Sequence, residues 1–238
     1  MKIGILETGR PNPALAATHG TYADMVAALL KDGGGLTFER FHVQEGEFPE
    51  SALSCDGWVI TGSRHSVTDE QPWMLRLEAM LRDAVDAKRP VFGICFGHQI
   101  LAKALGADVR KAPNGWQLGL KSYRVENPPA WMADAPQNLR INAIHEDQVL
   151  SLPPGSTLLA SSDACPIAGL TYGDVAVSFQ AHPEFTLPFE KDLLSFYSGV
   201  TLPADLSQQA LEGVTAAEAE TDSPRIAQWV RRFFLERT

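Results

Sequence analysis

The sequence predicts an α/β fold with a central, mostly parallel sheet flanked by helices, an added small mixed or antiparallel sheet, and a C-terminal helical extension. Three observations carry this. Up to Gly106, strand-like apolar runs alternate with segments of helical periodicity. One run, beginning at Val91, passes through Gly93-Ile94-Cys95-Phe96-Gly97 into an apolar helical stretch. Beyond Gly106 the pattern changes to short strand-like pieces split by Pro, Gly and Asn, and beyond Phe185 to helical periodicity alone.

The elements follow in order. Residues 2–6 read as the first strand, and 7–20, with two prolines, as a loop. Thr21 and Asp24 have capping-box spacing, and the helix they open runs to the stop at Gly33-Gly34-Gly35. Residues 36–43 alternate as a second strand, and 58–62 form a third that leads into the polar loop 63–68. Met74, Leu77, Leu81 and Val85 recur at helical spacing, and Pro90 ends that helix before the Val91 strand. Residues 100–105 read as the helix after the glycine-flanked turn. Strand-like pieces are expected at 108–110, 118–125, 137–144, 157–160, 167–171 and 175–179, with 180–185 as the loop leaving the last. Helices are expected at 189–197, 206–220 and 223–236. In the final one Ser223 is the expected N-cap, Pro224 the first helical residue, and Ile226, Val230 and Phe233 or Phe234 the apolar face.

At 238 residues, 45% hydrophobic and 21% charged, the chain has the composition of a soluble globular protein able to bury a core. Its net charge of −9 argues against a nucleic-acid partner, and no basic patch offsets it. The N-terminal apolar run is too short for a signal peptide, and no segment has the length to cross a bilayer. A cytoplasmic location without a membrane partner is the expectation. Three cysteines, odd in number and widely spaced, suggest neither a disulfide framework nor a metal site. Cys55 and Cys165 are expected to pack as small apolar residues.

Cys95 is different. Glycines two residues before and after it give the spacing of a nucleophile elbow, in which a tight strand-to-helix turn lifts the side chain clear of the backbone. A helix N-terminus at that point favours thiolate over thiol. Such a nucleophile needs a base and a group to orient the base. Among six histidines, His98 lies in the elbow helix, where it is expected to project sideways or into packing. His182 leaves an apolar strand, is stiffened by Pro183, and has Glu184 beside it to orient the ring. Cys95, His182 and Glu184 are therefore the expected triad. Elbow geometry makes the Phe96 N–H an oxyanion donor.

Gly-Ile-Cys-Phe-Gly-His-Gln at 93–99, followed by Ala-His-Pro-Glu-Phe at 181–185, resembles the class I glutamine amidotransferase domain of the triad type. The resemblance covers residues 1–190, with 191–238 as a helical extension packed on the same domain. It implies that Cys95 attacks the side-chain amide of glutamine, that ammonia leaves, and that water hydrolyses the γ-glutamyl thioester. Gly62 looks like the second oxyanion donor, and Gln99 matches the position that holds the substrate. Trp116 and Gly119 fall where the family has a further substrate-contacting loop, or else form a turn with a buried tryptophan. His145 resembles a family segment at the active-site mouth, or else belongs to a polar loop. No metal or organic cofactor is implied. The tail is too short for a nucleotide-binding synthetase, and no phosphate loop occurs. Either ammonia passes to a separate synthetase subunit, or a γ-glutamyl bond is cleaved for its own sake, as in the related γ-glutamyl peptidases. A silent binding module would predict a damaged triad, and none is seen.

Overall fold

The computed structural model describes residues 1–236. In chain order the first part comprises β1 (Lys2–Leu6), α1 (Pro13–His19), α2 (Tyr22–Leu30), β2 (Thr37–Phe41), β3 (Gly57–Ile60), α3 (Pro72–Asp86), β4 (Val91–Ile94) and α4 (Phe96–Ala104). Then come β5 (Val109–Lys111), β6 (Gln117–Val125), β7 (Asn138–His145), β8 (Asp147–Val149), β9 (Ser156–Ser161), β10 (Gly169–Tyr172) and β11 (Ala176–Phe179). Helices α5 (Leu187–Tyr197), α6 (Ala204–Thr215) and α7 (Ser223–Leu235) complete the chain.

One sheet runs β2-β1-β3-β4-β11-β10-β9-β6-β7, and β5 pairs with β8 in a small antiparallel ribbon. The five strands from β2 to β11 are mutually parallel, and the rest of the large sheet is antiparallel. This is the predicted α/β class. Strand alternation sorts side chains to two faces. Ile3, Ile5, Val59 and Phe92 pack with Val26 of α2 and with Trp229 and Phe233 of α7. Leu6, Trp58, Ile60 and Val91 pack with Leu77 of α3 and Ile100 of α4. Parallel strands covered on both faces read as continuous apolar runs, which is why the first strands stood out in the sequence.

The register of the central pair positions the site. Phe179 of β11 lies beside Ile94 of β4, and the Cys95 N–H donates to the Phe179 carbonyl at 2.8 Å. Cys95 and Gln180 therefore leave the sheet side by side at its carboxyl edge.

Several elements differ from expectation. Residues 13–19 are helical, not loop, because Pro13 sits in the first turn and Asn12 Oδ1 accepts from the Ala14 N–H at 3.0 Å. Leu15 is the helix's single buried residue, too little for a periodic signal. Helix α4 starts at Phe96 rather than at 100. Helix α6 ends at Thr215 rather than at 220, since no residue from 215 to 220 is buried. At α7 the cap is Asp222, not Ser223. The Asp222 N–H donates to the Arg140 carbonyl and its carboxylate accepts from the Arg140 N–H, both on β7, and this ties down the helix start. Cys55 and Cys165 are buried free thiols, as expected.

Candidate active site

Cys95 caps α4 with φ 52 and ψ −102, a left-handed value that a non-glycine residue adopts only where its surroundings enforce it. The glycines explain the enforcement. A Cβ on Gly93 would lie 2.7 Å from the Gly97 carbonyl oxygen, and one on Gly97 would lie 2.5 Å from that of Ile60, so helix and sheet approach closely only without side chains there. The strand-turn-helix elbow read from the spacing is present. As the first helical residue, Phe96 has an N–H without an intrahelical acceptor. The Gly62 N–H, beyond the end of β3, has no backbone acceptor among the described residues.

His182 and Glu184 lie on the loop leaving β11, and both are buried. The His182 Nδ1 and Glu184 Oε1 are 2.8 Å apart, and the imidazole stacks on Phe185 with centroids at 3.9 Å. The His182 N–H donates to the Asn142 carbonyl on β7 at 2.8 Å, so the loop is fixed at both backbone and ring. Burial opposes a charged ring here, but the negative charges of Glu184 and Cys95 outweigh it and hold His182 well above the ordinary imidazole range. Its Nε2 is buried and makes no hydrogen bond of ordinary geometry, although Cys95 lies near enough to raise the ring. Imperfect alignment of this kind is common in unliganded sites. Gly62 faces the same ring, because a Cβ there would stand 2.8 Å from His182 Cε1.

Gln99 is buried and donates to the Asp147 carbonyl at 2.9 Å and to Gln180 Oε1 at 3.2 Å. Gln180 in turn places its Nε2 3.6 Å from the Cys95 sulfur. Gln180 was not singled out from the sequence. Its position as the first residue after β11, two before His182, was the available signal. His145 is buried with Nδ1 3.2 Å from the Asp147 carbonyl oxygen. Burial, reinforced by the nearby His182, pushes it down to about 3. His98 is a packed residue, as expected, bonded to Ser178 Oγ at 2.8 Å and to the Ile167 carbonyl at 3.1 Å, with burial pushing it down to about 4.

Trp116 and Gly119 belong to another neighbourhood. Trp116 packs with Leu118, Leu194, Leu202 and Ala210 and borders a cavity of about 120 Å³ between β6 and α6. Gly119, with φ +79, lies directly beneath Ala210. Their packing is with α5 and α6 rather than with Cys95 or His182. Behind the site, Glu190 of α5 is fully buried, and neither carboxylate oxygen makes a hydrogen bond of ordinary geometry. Burial pushes it up to about 8, partly offset by His182 and the Gly119 N–H. Among the described residues no group of three His, Cys, Asp or Glu side chains is placed to hold a metal ion, and no helix is long and apolar enough to cross a membrane.

The family model described as glutamine amidotransferase class-I matches residues 24–197. Gamma-glutamyl peptidase 3 of Arabidopsis thaliana is 31% identical, over 89% of this chain and 86% of that protein. The glutamine-hydrolyzing GMP synthase of Bacillus mycoides is 36% identical over 68% of this chain, which amounts to 31% of the longer enzyme. The crystal structure of a glutamine amidotransferase from Thermotoga maritima superposes with a TM-score of 0.76 across 100% of this chain and 97% of that one, at 21% identity, a likeness of fold. With the family match spanning the elbow and the His-Pro-Glu loop alike, the chain belongs to the class-I glutamine amidotransferase family.

Proposed function

We propose that the protein hydrolyses a γ-glutamyl amide through a thioester on Cys95, with glutamine as the primary substrate and ammonia passing to a separate acceptor or synthetase subunit. The observation that carries this is the pairing of His182 Nδ1 with Glu184 at 2.8 Å, which leaves Nε2 unpartnered beside a strained Cys95. On this reading the sulfur attacks the γ-carbonyl carbon, and the developing oxyanion is met by the N–H groups of Phe96 and Gly62. His182 Nε2 gives its proton to the leaving nitrogen as the C–N bond breaks, then takes one from the water that cleaves the thioester. Glu184 holds the tautomer and never takes the proton itself. Gln180 and Gln99 steady the sulfur and the floor of the site, and His145, neutral and buried, shapes its wall. Residues 1–190 supply this machinery, and 191–238 extend the same unit. The last two positions of that extension lie outside the described residues.

A second reading, hydrolysis of γ-glutamyl peptides, is favoured by coverage. The γ-glutamyl peptidase relative matches along most of both chains, whereas the GMP synthase match is a fraction of a longer enzyme. The acyl-enzyme chemistry is shared. The deciding experiment measures glutamate release by wild type and Cys95→Ala from glutamine and from γ-glutamyl dipeptides. The expected result is turnover by wild type and none by Cys95→Ala, with ammonia if glutamine is the substrate. A Cys95→Ala protein as active as wild type removes the thioester.

A further inference from the structure

Arg64 is an exposed arginine with no carboxylate partner among the described residues. The hydrogen bond it makes is long, from Nη1 to the Tyr197 hydroxyl at 3.4 Å. Its place in the chain is informative. It lies two residues past Gly62, whose Cα abuts the Cε1 edge of His182, the edge between the nitrogen tied to Glu184 and the free Nε2. The loop carrying Arg64 therefore flanks the nitrogen from which a leaving group would collect its proton. Tyr22 marks the same spot from the other side. Its ring lies 5.7 Å from Phe185, which stacks on His182, and Tyr197, whose hydroxyl accepts the Arg64 hydrogen bond, packs against the same apolar cluster as Tyr22 and Phe185. The partner of Arg64 thus belongs to the aromatic wall behind the histidine.

A guanidinium without a carboxylate partner, carried on the loop that flanks Nε2, has no use for ammonia. It suits an anion, and a planar fork of donors suits a carboxylate best. We propose that Arg64 is a specificity-determining residue that binds the carboxylate of an amino-acid or short-peptide leaving group while the γ-glutamyl half is held at Cys95. This rests on the γ-glutamyl peptide reading. In the step it serves, the S–C bond forms, the C–N bond breaks, and the His182 proton goes to the departing amine, whose own carboxylate stays paired with Arg64 until release.

The test compares γ-glutamylglycine with its carboxamide-capped counterpart γ-glutamylglycinamide, in wild type, Arg64→Met and Arg64→Lys. The readout is the ratio of kcat/KM for the free acid to that for the capped form. Wild type favours the free acid, and Arg64→Met lowers the ratio about tenfold through KM, the scale of one charge-assisted hydrogen bond near a surface. Arg64→Lys recovers part of the ratio, since it keeps the charge and loses the fork. A ratio within twofold of wild type in Arg64→Met overturns the role of Arg64 while leaving the hydrolase reading intact. Failure of the wild type on both dipeptides overturns the proposal together with the reading beneath it, and is visible before any variant is made.

Discussion

Replacing Gly62 with alanine tests the oxyanion loop and the histidine together. Gly62 lies outside the left-handed backbone region, so alanine brings a methyl group and no backbone strain. That methyl would stand 2.8 Å from His182 Cε1, where ordinary contact begins near 3.4 Å, so ring or loop must move by about 0.6 Å. The ring has little room to yield, being stacked on Phe185 and tied to Glu184. If it moves, the proton donor leaves its line, and if the loop moves instead, the Gly62 N–H leaves the oxyanion. Loss of one oxyanion donor costs roughly 10²–10³ in kcat, and a 1 Å misplacement about 10². The expectation is a fall in kcat of about 10², or about 2.7 kcal/mol of barrier, with KM changed much less. Steady-state glutamate release reads this directly, alongside a thermal melt to show that the fold persists. A folded Gly62→Ala enzyme within threefold of wild-type kcat would refute the placement of this loop against the reacting groups.

Glu184→Gln should slow turnover at least tenfold relative to wild type yet remain faster than His182→Ala, because the orienter acts through the ring. Equal and negligible losses in both would sink the triad. Glu190 gives a stability prediction with a definite sign. Its folded value of about 8 lies above the ordinary 4.5, so its contribution is fully present below 4.5 and is lost as pH rises toward 8. Glu190→Gln lacks that dependence and should gain about 3 kcal/mol on wild type between pH 5 and pH 8, an order-of-magnitude figure, measured by urea unfolding. A pH-independent difference would mean the carboxyl is already ionised in the fold. Two glycines should move in opposite directions. Gly119→Ala, at positive φ and 2.8 Å from Ala210 Cβ, should destabilise by about 2 kcal/mol, whereas Gly213→Ala, in open space within α6, should stabilise by about 0.5–1 kcal/mol. Melting temperatures shifted the same way in both would contradict this packing.

The parallel core was legible because its strands are covered on both faces and its helices on one, which writes continuous and periodic apolar patterns into the chain. The elbow was legible because Gly93 and Gly97 are demanded by contacts under 3 Å. Helix α1 was not, since its formation rests on the Asn12 cap and Pro13 rather than on buried side chains. Gln180 escaped notice because its role depends on which strand lies beside β4, and no local pattern in the sequence encodes that pairing. The same holds for Trp116 and Gly119, whose neighbours come from α5 and α6, far along the chain.

The pairing of β11 with β4 also has a consequence for how the protein is made. Ile94 and Phe179 are distant in sequence, and closing so long a loop is slow relative to forming local contacts. During synthesis, β1 to β4 and α4 can assemble while the strand bearing His182 is still to come. In that interval Cys95 sits beside an open parallel edge, with neither Gln180 nor His182 to face it. An open edge next to an unpaired thiol invites wrong pairing and oxidation. Pairing of β11 with β4 covers that edge and brings Gln180 and the His182 loop to Cys95 together.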